Sequence, residues 1–348
     1  MKKGVIGKKD FGSWVGKLKN EGDLFGPKKR TDQFYRFDRV DDPSELALDY
    51  VSTILPPKKY FVPPKDEVLL EFNLKSGEMK ASKDEPAKEI ILLGIHGCDM
   101  QGLLRLDTCW KEGNPDCSYL AKRAKSTMIG ITCTPDEYCF CTKVQSNDFR
   151  EGFDIFLSDI GQSFLAEAFT DKGEKLLGLA KSSAADMLED ELAYKAKLRC
   201  ASQAAEFLPK VVELPLLCMN GENLAMWKDD FGSRCLACGT CTNVCPTCYC
   251  FDVKDDLDLN LTTGRRARSW DSCQLEGFTE VAGGEKFMRT QDLRQKHRFY
   301  RKFRWLTTKF GGSAFCVGCG RCGRQCTAEI SIPETANKLF MGVKAQKD

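Results

Sequence analysis

Two short apolar runs stand out from the otherwise polar first half of the chain. Residues 89–95 and 126–132 are almost continuously hydrophobic, which is typical of short strands buried on both faces. Helical stretches surround these runs, so the pattern predicts an α/β layer. Residues 1–85 are rich in charge and carry prolines at positions 56, 57, 63 and 64, which predicts an irregular segment of extended backbone.

The second half of the chain has helical spacing. Apolar positions recur on one side between residues 161 and 210, and Phe299, Phe303 and Leu306 fall on one face of a helix predicted over residues 291–306. We therefore predict an α+β protein. An irregular N-terminal segment (1–85) leads into an α/β domain (86–225), and a mainly α-helical domain (226–348) follows.

Composition narrows the class of protein. The 52 Lys and Arg residues nearly balance the 50 Asp and Glu residues, which gives no general preference for nucleic acid or for an acidic partner. No apolar run reaches the length needed to span a membrane, and the first residues lack the apolar core of a signal peptide. Together with the 19 cysteines, these features predict a cytoplasmic protein whose reduced thiols bind metal.

Two cysteine runs share one spacing, in which three cysteines are separated by two residues each and a fourth follows after three more. The first run is Cys235, Cys238, Cys241 and Cys245, and the second is Cys316, Cys319, Cys322 and Cys326. This spacing is typical of paired [4Fe–4S] clusters in which the fourth cysteine of each run binds the partner cluster. We therefore assign Cys235, Cys238, Cys241 and Cys326 to cluster 1, and Cys316, Cys319, Cys322 and Cys245 to cluster 2. Structural zinc, the alternative, leaves the third and fourth cysteines of each run unexplained.

A third metal site is predicted in the first half of the chain. Cys98 closely follows the first apolar run and Cys133 directly follows the second, so both thiols reach the same sheet edge if the two strands are parallel neighbours. Cys139 and Cys141 lie on a loop that can fold back towards them. Four thiolates fit a third [4Fe–4S] cluster or a zinc ion, and the simpler alternative is that these are ordinary buried cysteines.

Two further patterns have competing interpretations. Gly318, Gly320 and Gly323 match the dinucleotide-binding fingerprint, but no strand precedes them, so we predict that this chain binds no flavin or nicotinamide. A basic face of the helix over residues 291–306 consists of Arg294, Arg298, Arg301 and Arg304. We interpret this face as solvated or as a docking surface for a partner protein, with nucleic-acid binding as the alternative.

Several stretches together resemble a known family of electron-transfer subunits. They include residues 234–250, with Cys245-Pro246-Thr247-Cys248-Tyr249-Cys250, then Ser269-Trp270-Asp271-Ser272-Cys273, Gly97-Cys98-Asp99 and Cys139-Phe140-Cys141. The chain resembles the electron-transfer subunit of anaerobic sulfite reductase and the beta subunit of cytoplasmic [NiFe] hydrogenases, or sulfhydrogenases. The resemblance covers most of the chain and does not separate these two complexes.

The resemblance implies both cofactors and partners. It implies that Cys98, Cys133, Cys139 and Cys141 hold a third cluster, and that Cys248, Cys250 and Cys273 line the cluster pocket as outer sulfur donors. The implied function is electron relay between a flavin- or NAD(P)-binding partner subunit and a catalytic subunit of the NiFe hydrogenase or sirohaem sulfite reductase type. The first alternative is that this chain itself reduces sulfur compounds at an open cluster near Cys248, Cys250 and Cys273. The second is a nucleic-acid-binding iron–sulfur protein.

Overall fold

A computed structural model describes residues 2–81, 89–202 and 205–346. Its strands are β1 (Lys2–Gly7), β2 (Asp23–Lys29), β3 (Tyr35–Arg39), β4 (Glu67–Asn73), β5 (Met79–Ala81), β6 (Ile90–Ile95), β7 (Ser126–Ile131), β8 (Ile155–Asp159), β9 (Ser163–Ala168), β10 (Phe251–Leu257) and β11 (Thr263–Trp270). Its α-helices are α1 (Lys8–Glu21), α2 (Gly97–Lys111), α3 (Cys117–Ala124), α4 (Asp171–Leu177), α5 (Met187–Ser202), α6 (Leu214–Asn220), α7 (Thr240–Asn243), α8 (Gln291–Tyr300), α9 (Leu306–Lys309), α10 (Arg321–Arg324) and α11 (Ile332–Ala345). The mixture of sheets and helices confirms the predicted α+β class.

The main sheet has its strands in the order β1-β9-β8-β7-β6-β2-β3. The central strands β2, β6, β7 and β8 are parallel neighbours, whereas β1, β9 and β3 pair antiparallel at the two sides. The parallel pairing of β6 with β7 meets the condition on which the predicted third metal site depends. Carboxyl ends of parallel strands lie at one edge of a sheet, which is where open α/β sheets bind ligands.

The segment expected to be irregular is instead built into this sheet. Strands β1, β2 and β3 form its two sides, and α1 packs against it through Phe11, Trp14, Val15 and Leu18. These four apolar residues have helical spacing, so the sequence did carry the signal, which the surrounding lysines and the later prolines obscured. A second correction concerns residues 163–168, which lie in the stretch expected to be helical and form strand β9.

A smaller antiparallel sheet, in the order β10-β11-β4-β5, joins distant parts of the chain. The hairpin of β10 and β11 lies between the two cysteine runs, within the domain predicted to be mainly helical. It pairs with β4, and a buried ion pair between Arg268 Nη2 and Glu67 Oε2, at 2.6 Å, connects the two strands. Lys122 of α3 also reaches Glu67, at 2.6 Å.

The helical core of the C-terminal half contains the face predicted from sequence. Helix α8, a π-helical turn over Arg301–Trp305 and helix α9 follow one another directly, and Phe299, Phe303 and Leu306 are all buried. Phe299 and Phe303 pack with Trp227 and with Leu339 of α11. In the described parts of the chain, every helix is too short or too polar to cross a lipid bilayer.

Candidate metal centres

The four thiols assigned to cluster 1 surround one cavity. The cysteines that line it are Cys235, Cys238, Cys241 and Cys326. Cys326 belongs to the second run, so the structure makes the grouping on which the crossed assignment depends. Gln295 Nε2 donates a hydrogen bond to Cys235 Sγ at 2.9 Å, and burial raises the pKa of Cys241 to about 12. Buried thiols of this kind lose their protons when a metal binds.

Each cysteine run turns after a glycine in the left-handed conformation. Gly239 has φ 78° and precedes α7, while Gly320 has φ 71° and precedes α10. A residue with a side chain is strained at this φ, whereas glycine is not. The two single-turn helices contact each other, which places the two runs side by side.

The second group of thiols also combines both runs. Cys245, from the first run, lies close enough to Cys316 and Cys319 to raise their pKa values, and burial with this contribution brings each to about 12. Lys302 Nζ lies 3.2 Å from Cys245 Sγ and 3.0 Å from Thr247 Oγ1. The hydrogen bond from the Cys248 thiol, together with the charge of Lys302, holds the pKa of Cys245 well below its ordinary value. These contacts favour the thiolate form of Cys245.

The third group lies at the edge of the main sheet. Cys98 is at the start of α2, Cys133 follows β7, and the loop bearing Cys139 and Cys141 folds back against the second run, where Phe140 N donates to Gly318 O at 2.8 Å. Burial raises the pKa of Cys98, and the nearby thiols of Cys319 and Cys141 raise it further. A hydrogen bond with the Cys200 thiol and burial raise the pKa of Cys133, and the nearby thiols of Cys98 and Cys141 raise it further.

The arrangement of these groups bears on the choice between zinc and a cluster. Within residues 2–81, 89–202 and 205–346, no three His, Cys, Asp or Glu side chains are placed to hold a single metal ion. A four-iron cluster spaces its thiolates more widely than a zinc tetrahedron does, because each thiolate binds a different iron.

Comparison with known proteins decides the family. Residues 234–330 match the 4Fe-4S dicluster domain. Over 343 residues the chain is 34% identical to sulfhydrogenase 2 subunit beta of Pyrococcus furiosus, and the match covers 96% of this chain and 97% of that protein. The chain belongs to the hydrogenase beta-type iron–sulfur subunit family. As a member of that family, it carries [4Fe–4S] clusters. No solved structure matches the chain.

Cys200 of this beta-type subunit belongs to none of the cysteine patterns identified in the sequence. It is buried on α5, and its thiol donates a hydrogen bond to the carbonyl of Cys133. A hydrogen bond with the Cys133 thiol lowers the pKa of Cys200 to about 7. Cys200 therefore adjoins the third group, and no spacing rule links it to Cys133 because the two lie far apart in sequence.

The glycine fingerprint has a packing role in this structure. A Cβ atom on Gly318 would lie 2.6 Å from Cys141 N, and one on Gly320 would lie 2.8 Å from the carbonyl of Tyr138. Both glycines thus allow the second cysteine run to lie directly against the loop that carries Cys139 and Cys141. This contact brings the second and third groups of thiols together.

The basic face of α8 is not solvated, which corrects the prediction for its first two arginines. Arg294 and Arg298 are buried, as is Lys302 in the following turn. Arg294 Nη1 donates to the carbonyls of Met288 and Arg289, and Arg298 Nη1 donates to Gln295 Oε1 at 3.0 Å. Burial lowers the pKa of Arg298, but the thiols of Cys241, Cys322 and Cys326 outweigh it and raise the pKa above its ordinary value. Arg298 is therefore turned towards the cysteines and not towards solvent.

The three remaining family-pattern cysteines form a separate group. Cys248, Cys250 and Cys273 line a second cavity, together with Arg298, Arg301 and Lys302. They do not line the cavity of cluster 1. They adjoin cluster 2, because the Cys248 thiol hydrogen-bonds to Cys245 and Lys302 Nζ lies 3.2 Å from Cys245 Sγ and 3.4 Å from Cys248 Sγ.

Proposed function

We propose that this chain is the electron-relay subunit of a cytoplasmic multisubunit oxidoreductase. It passes electrons between a flavin- or NAD(P)-binding partner subunit and a catalytic subunit of the hydrogenase, sulfur reductase or sulfite reductase type. The observation that carries this proposal is that the three groups of thiols adjoin one another in a row. The relative from Pyrococcus furiosus, named as the beta subunit of a sulfhydrogenase, supports membership of such a complex.

The row runs from the sheet edge to the cavity of cluster 1. The third group adjoins the second, because the Cys139 thiol donates to Cys319 O at 3.8 Å and Cys319 lies near enough to Cys98 to raise its pKa. Cys322 of the second group acts in the same way on Cys241 of the first. Clusters held at these positions by Cys98, Cys133, Cys139 and Cys141, and by the eight cysteines of the two runs, would be fixed and closely spaced. Electron relay needs that arrangement, since the protein supplies the cofactor's position and surroundings.

Burial differs along this row in a way that suits a relay. Cys245, Cys316 and Cys319 in the middle are buried, which keeps water away from the second group. Cys238, in the first group, is exposed, and the neighbouring Leu236 side chain is 64% exposed. We infer that a partner subunit docks over Leu236 and exchanges electrons with the chain at this end.

Co-purification of the partner subunits is the simplest test of the proposal. The tagged chain, purified without oxygen from its native cell, should bring with it a flavin-containing subunit and a subunit containing nickel–iron or sirohaem. Purification of the iron-loaded chain without any redox partner would contradict the proposal.

A surface variant tests the docking end. Leu236→Glu should slow reduction of the chain's clusters by the flavin-containing partner at least about tenfold, since charge at an interface core costs more than about 1.4 kcal/mol. Leu259→Glu is the matched control, because Leu259 is fully exposed in the β10–β11 turn and belongs to none of the groups of thiols. Equal rates for both variants would exclude Leu236 from the docking surface, provided that their electron paramagnetic resonance (EPR) spectra match the wild type.

The cavity of Cys248, Cys250 and Cys273 favours one second candidate, in which the chain itself reduces a sulfur compound. The isolated chain, fully loaded with iron and supplied with a reduced artificial donor, would then consume polysulfide. If the isolated chain consumes no polysulfide, the second candidate is excluded and only the relay function remains.

A further inference from the structure

We propose that Cys248, Cys250 and Cys273 hold a fourth iron–sulfur cluster through three thiolates. This site is distinct from the three groups of the relay. The proposal of this site does not rest on the relay function, because its test measures iron bound by the chain without any partner protein.

The hairpin between the two cysteine runs brings these thiols together. Cys248 and Cys250 lie just before β10, and Cys273 lies just after β11. The strands pair Phe251 with Trp270, and Asp271 N donates to Cys250 O at 3.1 Å, so both outer ends of the hairpin meet at one point. Cys273 is far from Cys248 and Cys250 in sequence, but the antiparallel pairing of β10 with β11 brings the three thiols together.

The cavity at this point resembles the cavity of cluster 1 in its lining. Both cavities are lined by cysteines and by Arg298. The cavity of cluster 1 has four thiols and this cavity has three, so the comparison within one molecule favours an iron–sulfur site here as well.

Positive charge lines the cavity. Lys302 and Arg298 are both buried, and within the described residues neither forms an ion pair with Asp or Glu. Arg298 Nη2 is buried without a hydrogen-bond partner in the same part of the chain. Arg301 also lines the cavity. Buried cations need negative charge nearby, and an anionic cluster held by three thiolates here would share Lys302 and Arg298 with the thiols of clusters 2 and 1.

The contact with the second group places this site beside the relay. Lys302 Nζ bridges Cys245 Sγ, at 3.2 Å, and Cys248 Sγ, at 3.4 Å. A cluster bound here would therefore lie beside cluster 2, off the row that ends at Cys238. With three thiolates for four irons, one iron would have no cysteine from this trio and could bind a small anion from solution.

Cysteine replacement measures the site directly. The chain bearing C250A and C273A together, prepared without oxygen, should lose about four irons and four sulfides compared with the wild type. C218A is the matched control, since Cys218 is fully buried among apolar residues and belongs to none of the groups. The EPR signals of clusters 1 and 2 should persist in the double variant, which separates failure of this site from failure of the relay.

A conservative replacement covers the case of poor folding. In C250S the hydroxyl keeps the size of the thiol but is a weaker iron ligand, so the variant should show a shifted or lost EPR signal. Full retention of iron with an unchanged spectrum in both variants would overturn the proposal, and so would a Cys250–Cys273 disulfide in the native chain. Loss of iron from every site in both variants would also overturn it, because these residues would then serve folding and not a site of their own.

Discussion

Arg321 and Asp99 form a fully buried, bidentate ion pair between the second cysteine run and the edge of the main sheet. The two contacts join Nη1 to Oδ1 at 2.6 Å and Nη2 to Oδ2 at 2.7 Å. Arg321 Nε also donates to Thr53 O at 2.8 Å. Because Asp99 follows Cys98 and Arg321 lies between Cys319 and Cys322, this pair fixes the third group of thiols against the second.

Removing the guanidinium should destabilise the chain strongly. In R321A the Asp99 carboxylate stays buried without its partner, which typically costs about 3–5 kcal/mol. We expect a much lower urea midpoint, measured by tryptophan fluorescence without oxygen. R266A is the control, since Arg266 pairs with Asp255 on the exposed hairpin, and its midpoint should equal that of the wild type. Similar midpoints for R321A and R266A would show that the buried pair does not hold the two groups together.

Lys302 should tune the reduction potential of cluster 2. Its ammonium contacts Cys245 Sγ, and the surrounding thiols keep its pKa well above the ordinary value despite burial, so the charge is permanent. Two unit charges 4 Å apart interact by about 4 kcal/mol at an effective dielectric constant of 20. K302M removes one such charge and should therefore lower the midpoint potential of cluster 2 by on the order of 100 mV. Potentiometric EPR titration measures this shift. K296M, which removes a half-buried lysine of the preceding helix α8, should cause no shift. Equal potentials in K302M and wild type would place the charge elsewhere.

Gly320 should be far less tolerant of substitution than a glycine of similar backbone angle in open space. Gly113 has φ 66° and nothing near its missing Cβ, so G113A should cost about 1–2 kcal/mol from the backbone angle alone. In G320A the added Cβ also meets the Tyr138 backbone, which should cost at least about 1 kcal/mol more. Urea midpoints give both values. Equal losses would mean that the loop carrying Cys139 and Cys141 yields freely.

Sequence reasoning succeeded where local spacing or strand order decided the outcome. The spacing of the two runs anticipated the grouping of Cys326 with the first run, and the apolar runs at β6 and β7 anticipated a parallel pair followed by Cys98 and Cys133. Helix periodicity correctly placed Phe299 in the core.

The misses have a common physical origin in long-range contacts. The basic face of α8 looks solvated from sequence because the thiols that surround Arg298 come from both runs, and no local pattern shows them. Cys200 and Cys273 acquire neighbours only when α5 and the β10–β11 hairpin fold back. The sheet strands of the first 85 residues were missed because short strands among charges and prolines give a weak alternation.

The central claim is that each cysteine run supplies one ligand to the other run's cluster. C245A tests it most directly, with C319A as the reference for loss of cluster 2 and C238A as the reference for loss of cluster 1. The account predicts that the EPR spectrum of reduced, anaerobically prepared C245A matches that of C319A and retains the signal missing from C238A. A C245A spectrum that matches C238A instead would show that Cys245 binds within its own run and would contradict the account.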